Sequence, residues 1–335
     1  MKKTISAQSF KSRFGQIESG AQLLGIPSGI VLVSLLLMSS TCERPVDLNL
    51  PTPEPKLVIV SNFTNGEELH VRVSKSRSIL DDSPEEYIGD ATVELYVGDL
   101  FLESLTLVTP QAPRESPYYK TQQTSIQVGV VYNIKVTAPG FEPVMAQSSI
   151  PPKVNLRDFT ISDLDIHEGG QPGSLVYNYR VGVSFDDPIK QVNYYHLNFY
   201  QQIQDYIYVG GDTLILRNYL QPVVFSNNNS NNYLQAYFGG GVLIEDTPFD
   251  GQTISLNFPM SVEIFPDNQK LGKIYAELRA VSEDYYLFHN SLSRQQNAGN
   301  GGTPSEPIFI YNNIENGHGI FAGYSQTLDS LIVNQ

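Results

Sequence analysis

The chain consists largely of short apolar segments of strand length, separated by turn residues. This pattern is the feature that most limits the folds open to it. Val, Ile, Thr and Tyr are plentiful in these segments, whereas apolar residues rarely recur at helical spacing over the length of a helix. The turn signals occur along the whole sequence, at Asn65-Gly66, Pro139-Gly140, Gly169-Gly170, Gly210-Gly211 and Asp250-Gly251. The pattern predicts an all-β protein of antiparallel strands packed as sandwiches.

The N-terminal part of the sequence predicts a first sandwich. Leu57–Phe63 and Leu69–Ser74 are expected to form a hairpin, and further strands are predicted at Ala91–Val97, Leu100–Val108 and Ser125–Thr137.

One segment of this first sandwich has a more specific likeness. Tyr132–Val144, reading YNIKVTAPGFEPV, has a Pro-Gly turn between two strands and resembles the last hairpin of immunoglobulin-like and carboxypeptidase-regulatory-like sandwiches. That resemblance implies a fold and little about activity, because such modules serve many functions.

Two consecutive prolines, Pro151-Pro152, mark the predicted boundary between two domains, since they are stiff and lack backbone N–H donors. We expect an immunoglobulin-like β-sandwich over residues 57–150 and a second, sandwich-like β domain over residues 151–335. One short helix near the C-terminus is predicted to begin after Ser282, which can cap it. The strands predicted in the second domain are Phe159–Ile166, Val176–Phe185, Val192–Val209, Ile308–Ile310 and Ile320–Tyr324.

Cys42 is the single cysteine, and it follows a basic leader and the leucine-rich apolar run Gly25–Met38. The run is shorter than the roughly 20 residues that a membrane-spanning helix needs. Small residues precede Cys42, so residues 1–41 are predicted to be a lipoprotein signal peptide and Cys42 the lipid-modified residue. The alternative is ordinary secretory cleavage nearby, which leaves Cys42 as a free thiol or as a partner for another chain. Residues 42–56, rich in proline and acidic residues, are predicted to be a flexible tether.

The formal net charge of −14 excludes some partners. Binding to nucleic acid or to an anionic membrane face relies on Lys and Arg, whereas acidic residues here outnumber basic ones by 35 to 21. We therefore expect no nucleic-acid partner, and membrane association through the lipid anchor alone.

A tyrosine-rich strand is the candidate ligand-binding surface. Exposed tyrosines offer large contact areas with hydrogen-bonding tips, so such a strand can bind sugar, peptide or protein. The competing interpretation is ordinary sheet packing, with alternate tyrosines covering the core. The candidate residues are Tyr194, Tyr195, Tyr200, Tyr206 and Tyr208.

A second candidate is a calcium loop formed by Asp163, Asp165 and Glu168, beside the Gly169-Gly170 turn. The competing interpretation is a solvated acidic loop, and the spacing does not match an EF-hand. No other cofactor is predicted. The five histidines lack the spacing of metal ligands, and no nucleophile with an adjacent base stands out. No catalytic residue is therefore predicted, and the chain is not expected to be an enzyme.

The C-terminal region resembles a known family. Leu278–Leu292, reading LRAVSEDYYLFHNSL, and Glu306–Ser325, reading EPIFIYNNIENGHGIFAGYS, are similar to the C-terminal signature of domain-of-unknown-function family 4249 (DUF4249), and the N-terminal PKLVIVSNF strand matches as well. The resemblance spans residues 42–335. It implies an outer-membrane lipoprotein of Bacteroidota, commonly encoded beside a TonB-dependent receptor, with no established chemical activity.

The expected function is that of a lipid-anchored outer-membrane accessory or binding protein, at the cell surface or the periplasmic face, that partners a TonB-dependent receptor in nutrient capture. The alternative is a structural or assembly lipoprotein of the cell envelope that binds no nutrient. A concave tyrosine-lined cleft would favour capture, whereas a flat sheet surface would favour scaffolding.

Overall fold

The alternating sequence folds into strands over almost all of the residues that the computed structural model describes, namely 54–78, 81, 83–112, 115–224, 233–299 and 308–333. Cys42, the predicted signal peptide, most of the predicted tether and the polar segment 226–232 lie outside these residues. The elements of the described part are β1 (Leu57–Thr64), β2 (His70–Lys75), β3 (Thr92–Val97), β4 (Leu100–Ser104), β5 (Thr106–Val108), β6 (Tyr118–Lys120), β7 (Val131–Thr137), β8 (Val144–Ser149), β9 (Leu156–Glu168), β10 (Leu175–Asp186), β11 (Tyr194–Val209), β12 (Asp212–Pro222), β13 (Leu234–Ala236), β14 (Val242–Glu245), β15 (Thr253–Ile264), β16 (Gln269–Val281), the helix α1 (Glu283–Gly299) and β17 (His318–Ile332).

One large sheet runs through the molecule in the order β13-β14-β11-β16-β17-β1-β2-β6-β5, with β12 paired to β11 beside this path. Strand β17 joins its two halves. Residues His318–Tyr324 pair in parallel with Val58–Thr64 of β1, and Tyr324–Ile332 pair antiparallel with Lys273–Val281 of β16.

Two smaller sheets cover one face of the large sheet. The four-stranded sheet β4-β3-β7-β8 packs on the β1 half, and the three-stranded sheet β15-β10-β9 packs on the β11 half. Each interface has its own apolar core, the first centred on residues such as Ile59, Leu95 and Phe321, the second on residues such as Phe185, Phe199 and Phe258. The prediction of an all-β, sandwich-like protein with one short helix near its C-terminus is confirmed.

The helix α1 lies on the opposite face of the large sheet, over a small third cluster that includes Tyr285, Tyr286 and Ile320. It begins as the sequence predicts, because the Tyr285 backbone N–H donates to Ser282 Oγ at 3.3 Å. No helix within the described residues combines the length and the apolar character that a membrane span requires. All described residues belong to one compact unit, Pro53–Gln335. The domain boundary at residues 150 and 151 stays a prediction.

Some predicted strands differ from the structure. Ile308–Ile310 is not a strand, and the chain just after it bonds through side chains, as where the Tyr311 N–H donates to Ser291 Oγ at 2.9 Å. The predicted strand Leu100–Val108 divides at the buried Leu105, because β4 pairs in the small sheet and β5 in the large one. The last predicted N-terminal strand begins at Val131 instead of Ser125.

Strand β17 accepts only glycine at one position near its start. Gly319 has a φ of +113°, and a Cβ there would lie 1.9 Å from the carbonyl oxygen of Ile59. The parallel pairing of β1 and β17 therefore depends on the absence of a side chain at residue 319.

Candidate docking surface

The candidate surface is the outer part of the hairpin formed by β11 and β12, which we call the β11–β12 hairpin. The two strands pair from Tyr200↔Pro222 to Val209↔Asp212, and the turn residues Gly210 and Gly211 both have positive φ. On its other edge, β11 pairs with β16 only as far as Asp205↔Gln269. Beyond Asp205, the hairpin therefore extends past the neighbouring strands of the large sheet.

Every residue of β12 is exposed, although the strand is largely apolar. Leu214, Ile215 and Leu216 are consecutive and each is more than half exposed. Side chains of consecutive strand residues point to opposite faces, so apolar groups lie on both faces of the hairpin. The exposed apolar residues of the hairpin are Ile207, Tyr208, Val209, Leu214, Ile215, Leu216, Tyr219 and Leu220. Contiguous apolar patches of this kind are typical of interaction sites.

The outer edge of β12 pairs with no strand among the described residues. Edge strands of monomeric proteins are usually protected by charged residues, bulges or proline. Here the only charged residues of β12 are Asp212 and Arg217, and the single proline, Pro222, stands at the inner end of the strand. The pairing of β12 with β11 shifts register at Leu216, but Leu214 and Ile215 beyond this shift have no charged residue or proline beside them except Asp212 at the turn.

The base of the hairpin is fixed by polar contacts. The Arg217 guanidinium pairs with the carboxylate of Asp205, which also accepts a hydrogen bond from Gln269 Nε2 at 3.0 Å. The Tyr206 hydroxyl donates to the backbone oxygen of Pro266. The strand pairing shifts register just beyond Asp205. These contacts tie the hairpin to β16 and to the turn before it.

The predicted tyrosine surface is only partly present. Tyr195 is fully buried in the core, where its hydroxyl donates to the carboxylate of Asp187. It is therefore not available to a ligand in this structure.

The other four predicted tyrosines have mixed exposure. Tyr194 stacks on Tyr286 with ring centroids 4.7 Å apart, and the hydroxyl of the half-buried Tyr200 donates to Glu277 Oε2 at 3.0 Å. Burial, and secondarily the charge of Glu277, raises the pKa of Tyr200 to about 12. Tyr206 is half-buried, and Tyr208 is 68% exposed. Of these five, Tyr206 and Tyr208 belong to the projecting hairpin.

The predicted calcium residues are not brought together as a cation site. Asp163 pairs with Arg180 at 3.3 Å, and Asp165 lies 3.2 Å from His167. Both carboxylates are largely exposed, and Glu168 is exposed at the end of β9.

A different acidic group, Asp187, Asp246 and Asp250, has carboxylate oxygens within 4.8 Å of one another. The chain supplies donors to all three: the Gly251 N–H to Asp187, the Asn193 N–H to Asp246 and the Lys190 N–H to Asp250, at 2.7 to 2.9 Å. Burial raises the pKa of Asp246, and the neighbouring Asp187 and Asp250 charges add to this. The sequence gives no sign of this group, because its members come from two separate loops.

The comparisons with known proteins concern the family of the chain. None of the curated proteins matches it. The family described as "Domain of unknown function (DUF4249)" matches residues 43–329, which include both sandwiches, the β11–β12 hairpin and α1. The chain therefore belongs to the DUF4249 family.

Proposed function

We propose that the protein is a non-enzymatic, lipid-anchored accessory protein of the outer membrane that docks onto a membrane partner through the β11–β12 hairpin. The observation that carries this proposal is the exposure of Leu214, Ile215 and Leu216 on a strand that covers no core. Burial of one such side chain is worth roughly 1.5–3 kcal/mol, so a partner that covers this hairpin gains affinity that folding does not use.

The partner that we propose is a TonB-dependent outer-membrane receptor, and the shared process is nutrient capture. The identity of this partner comes from the resemblance of the sequence to the DUF4249 lipoproteins. The hairpin adds a surface suited to it, because apolar side chains beside an open strand edge can pack on, and pair with, another β protein.

Lipid attachment at Cys42 would complete this arrangement. An anchor restricts both proteins to one membrane, which raises their effective concentration and makes a weak contact sufficient. The hairpin would then supply orientation and specificity, and the anchor the proximity.

The test is a mild-detergent pull-down of the tagged, full-length protein from its native membrane. We expect a TonB-dependent receptor to co-purify stoichiometrically with the wild type. The double variant Leu214→Ser/Leu216→Ser should lose it, because two of the three consecutive exposed apolar side chains of β12 become polar.

The matched control is Leu100→Ser/Phe101→Ser, which changes two exposed apolar residues of β4 on another hairpin. This control should retain the receptor. Recovery of the wild-type protein without a receptor would contradict the proposed partner. Retention of the receptor by the β12 variant would show that docking uses another surface.

A further inference from the structure

A buried histidine cluster lies between α1 and the large sheet. Its members come from β11, β16, the loop between β13 and β14, and α1 itself. They are His196, Arg279, Tyr237, Tyr285 and His289, and we call them the histidine cluster.

The hydrogen bonds fix the protonation of His196. Its Nε2 lies 3.2 Å from the carbonyl oxygen of Gly240, which can only accept, so the proton of the neutral ring is on Nε2. Its Nδ1 lies 2.9 Å from the Tyr285 hydroxyl and therefore accepts from it. The Tyr285 oxygen in turn accepts from the Arg279 guanidinium at 3.3 Å. The chain of bonds uses both ring nitrogens, so a second ring proton, on Nδ1, would displace the hydrogen bond that the Tyr285 hydroxyl donates.

His289 is also held in a site that suits only a neutral ring. Its Nδ1 lies 3.1 Å from the Tyr237 hydroxyl, whereas its buried Nε2 has no hydrogen-bond partner among the residues that the structure describes. The ring packs on Tyr285 with centroids 4.2 Å apart. A charged imidazolium would need two acceptors, and none faces the Nε2 atom.

The charge around the cluster opposes protonation. Arg279 is half-buried, with 22% of its side chain exposed, and its positive charge acts on both histidines. Glu277 pairs with Arg279 at 2.9 Å and so compensates the arginine and not the imidazoles. The titratable groups that line the site from all packed elements are His196 and Tyr200 on β11, Tyr237 before β14, Glu277 and Arg279 on β16, Tyr285 and His289 on α1, and Tyr324 on β17.

Strands β11 and β16 contribute to the second sandwich core with their other face, whereas α1 and the loop before β14 contact the large sheet only from this side. The apolar residues under α1, such as Val281, Tyr286 and Ile320, form a small cluster of their own. The loop Tyr237–Gly241 is held by Ser293 Oγ, which donates to the Ala236 carbonyl, and by the two histidines. Such a small unit can open locally while larger cores persist.

We propose that the histidine cluster is an acid-sensitive latch: when His196 and His289 take up protons, α1 and the loop Tyr237–Gly241 detach from the large sheet while both sandwiches stay folded. Detachment exposes the apolar patch of Val281, Ile320 and Ala322. The latch stands on the geometry of the cluster and does not depend on the proposed function.

The sign of the pH dependence follows from the two histidines. Burial, with the Arg279 charge second, lowers the pKa of His196 to about 3, and burial with the same charge lowers that of His289 to about 4. In the open state both rings have ordinary pKa values near 6.5. The open state therefore binds more protons, so closure is fully stable above about pH 6.5 and weakens as the pH falls towards 4.

The test is hydrogen exchange of the folded protein, read by mass spectrometry as protection factors corrected for the intrinsic pH dependence of exchange. Both rings are protonated on opening in this range, so protection of α1 should fall about sixtyfold between pH 6 and pH 5. Protection of β7 and β10, one strand from each sandwich, should not fall over the same pH range. In His289→Phe, which keeps a ring without a titrating group, the fall should shrink to about tenfold. The exposed double variant His70→Gln/His318→Gln should behave like the wild type.

Three results would overturn the latch. Protection of α1 does not change with pH, or it falls together with that of β7 and β10, or His289→Phe and His289→Gln both keep the full pH dependence of the wild type. His289→Gln is included because it preserves a polar partner for Tyr237 if the phenylalanine variant folds poorly.

Discussion

Two edge strands of this protein, β15 and β12, have similar lengths but very different surroundings. In β15, exposed and buried residues alternate without exception, and the buried ones, such as Phe258 and Val262, fill the core between the sheets. In β12, every residue is exposed, including Leu214 and Leu216. Folding accounts for the apolar residues of β15 and does not account for those of β12. The apolar residues of β12 therefore do not contribute to the folded core.

The largest expected effect is a difference in the free energy of unfolding between a variant of β15 and a variant of β12. Phe258→Ala in β15 should lower the free energy of unfolding by about 3–5 kcal/mol, because it leaves a cavity in a closed core. Leu214→Ala in β12 should change it by less than about 0.5 kcal/mol, as for other surface positions. Urea denaturation of both variants measures the difference. A loss of more than about 2 kcal/mol in Leu214→Ala would mean that β12 is covered in the folded protein.

A smaller effect is expected at the base of the hairpin. Arg217→Met should cost about 1 kcal/mol, because it leaves the largely buried carboxylate of Asp205 with Gln269 as its remaining side-chain donor. Amides of β12 should exchange faster with solvent, which hydrogen exchange measures. Arg72→Met, at an exposed arginine of β2, is the control and should leave β12 unchanged. Equal exchange in both variants would show that strand pairing alone holds the hairpin.

The smallest effect concerns the acidic group next to the start of β15. Because the pKa of Asp246 is raised in the folded state, its stabilising contribution is present at acidic pH and is lost as the pH rises through that pKa. Asp246→Asn should therefore raise the Tm at pH 7, and the gain should vanish in acid. Asp99→Asn, at an exposed carboxylate, should give no such gain. A lower Tm for Asp246→Asn at pH 7 would mean that the hydrogen bonds from Asn193 to the carboxylate outweigh its burial and the repulsion from Asp187 and Asp250.

Local signals in the sequence predicted part of this architecture. The β7–β8 hairpin is present around Gly140, which has the positive φ that a Pro-Gly turn requires, and α1 begins at its predicted cap. These features depend on residues that are close together in the sequence, so they can be predicted from it. No strand was predicted at β12, β15 or β16, although β15 alternates regularly.

The surfaces and clusters were not predictable in the same way. An apolar run such as Leu214–Leu216 has the same sequence pattern whether it is buried or exposed. It is exposed here because the hairpin extends beyond the end of its pairing with β16. Likewise, His196 and His289 are separated by almost a hundred residues and meet only because α1 packs across β11. Neither histidine has residues near it in the sequence that would indicate the cluster.

The position of β17 also bears on how the protein reaches its folded state. It is the strand through which the two halves of the large sheet meet, and it pairs with β1 across about 260 residues of sequence. Contacts between such distant residues form slowly, because a long loop must close before the pairing stabilises it. The large sheet cannot close until the segment from His318 to Ile332 is available. A chain with this topology therefore stays incompletely paired until its last strand has been synthesised.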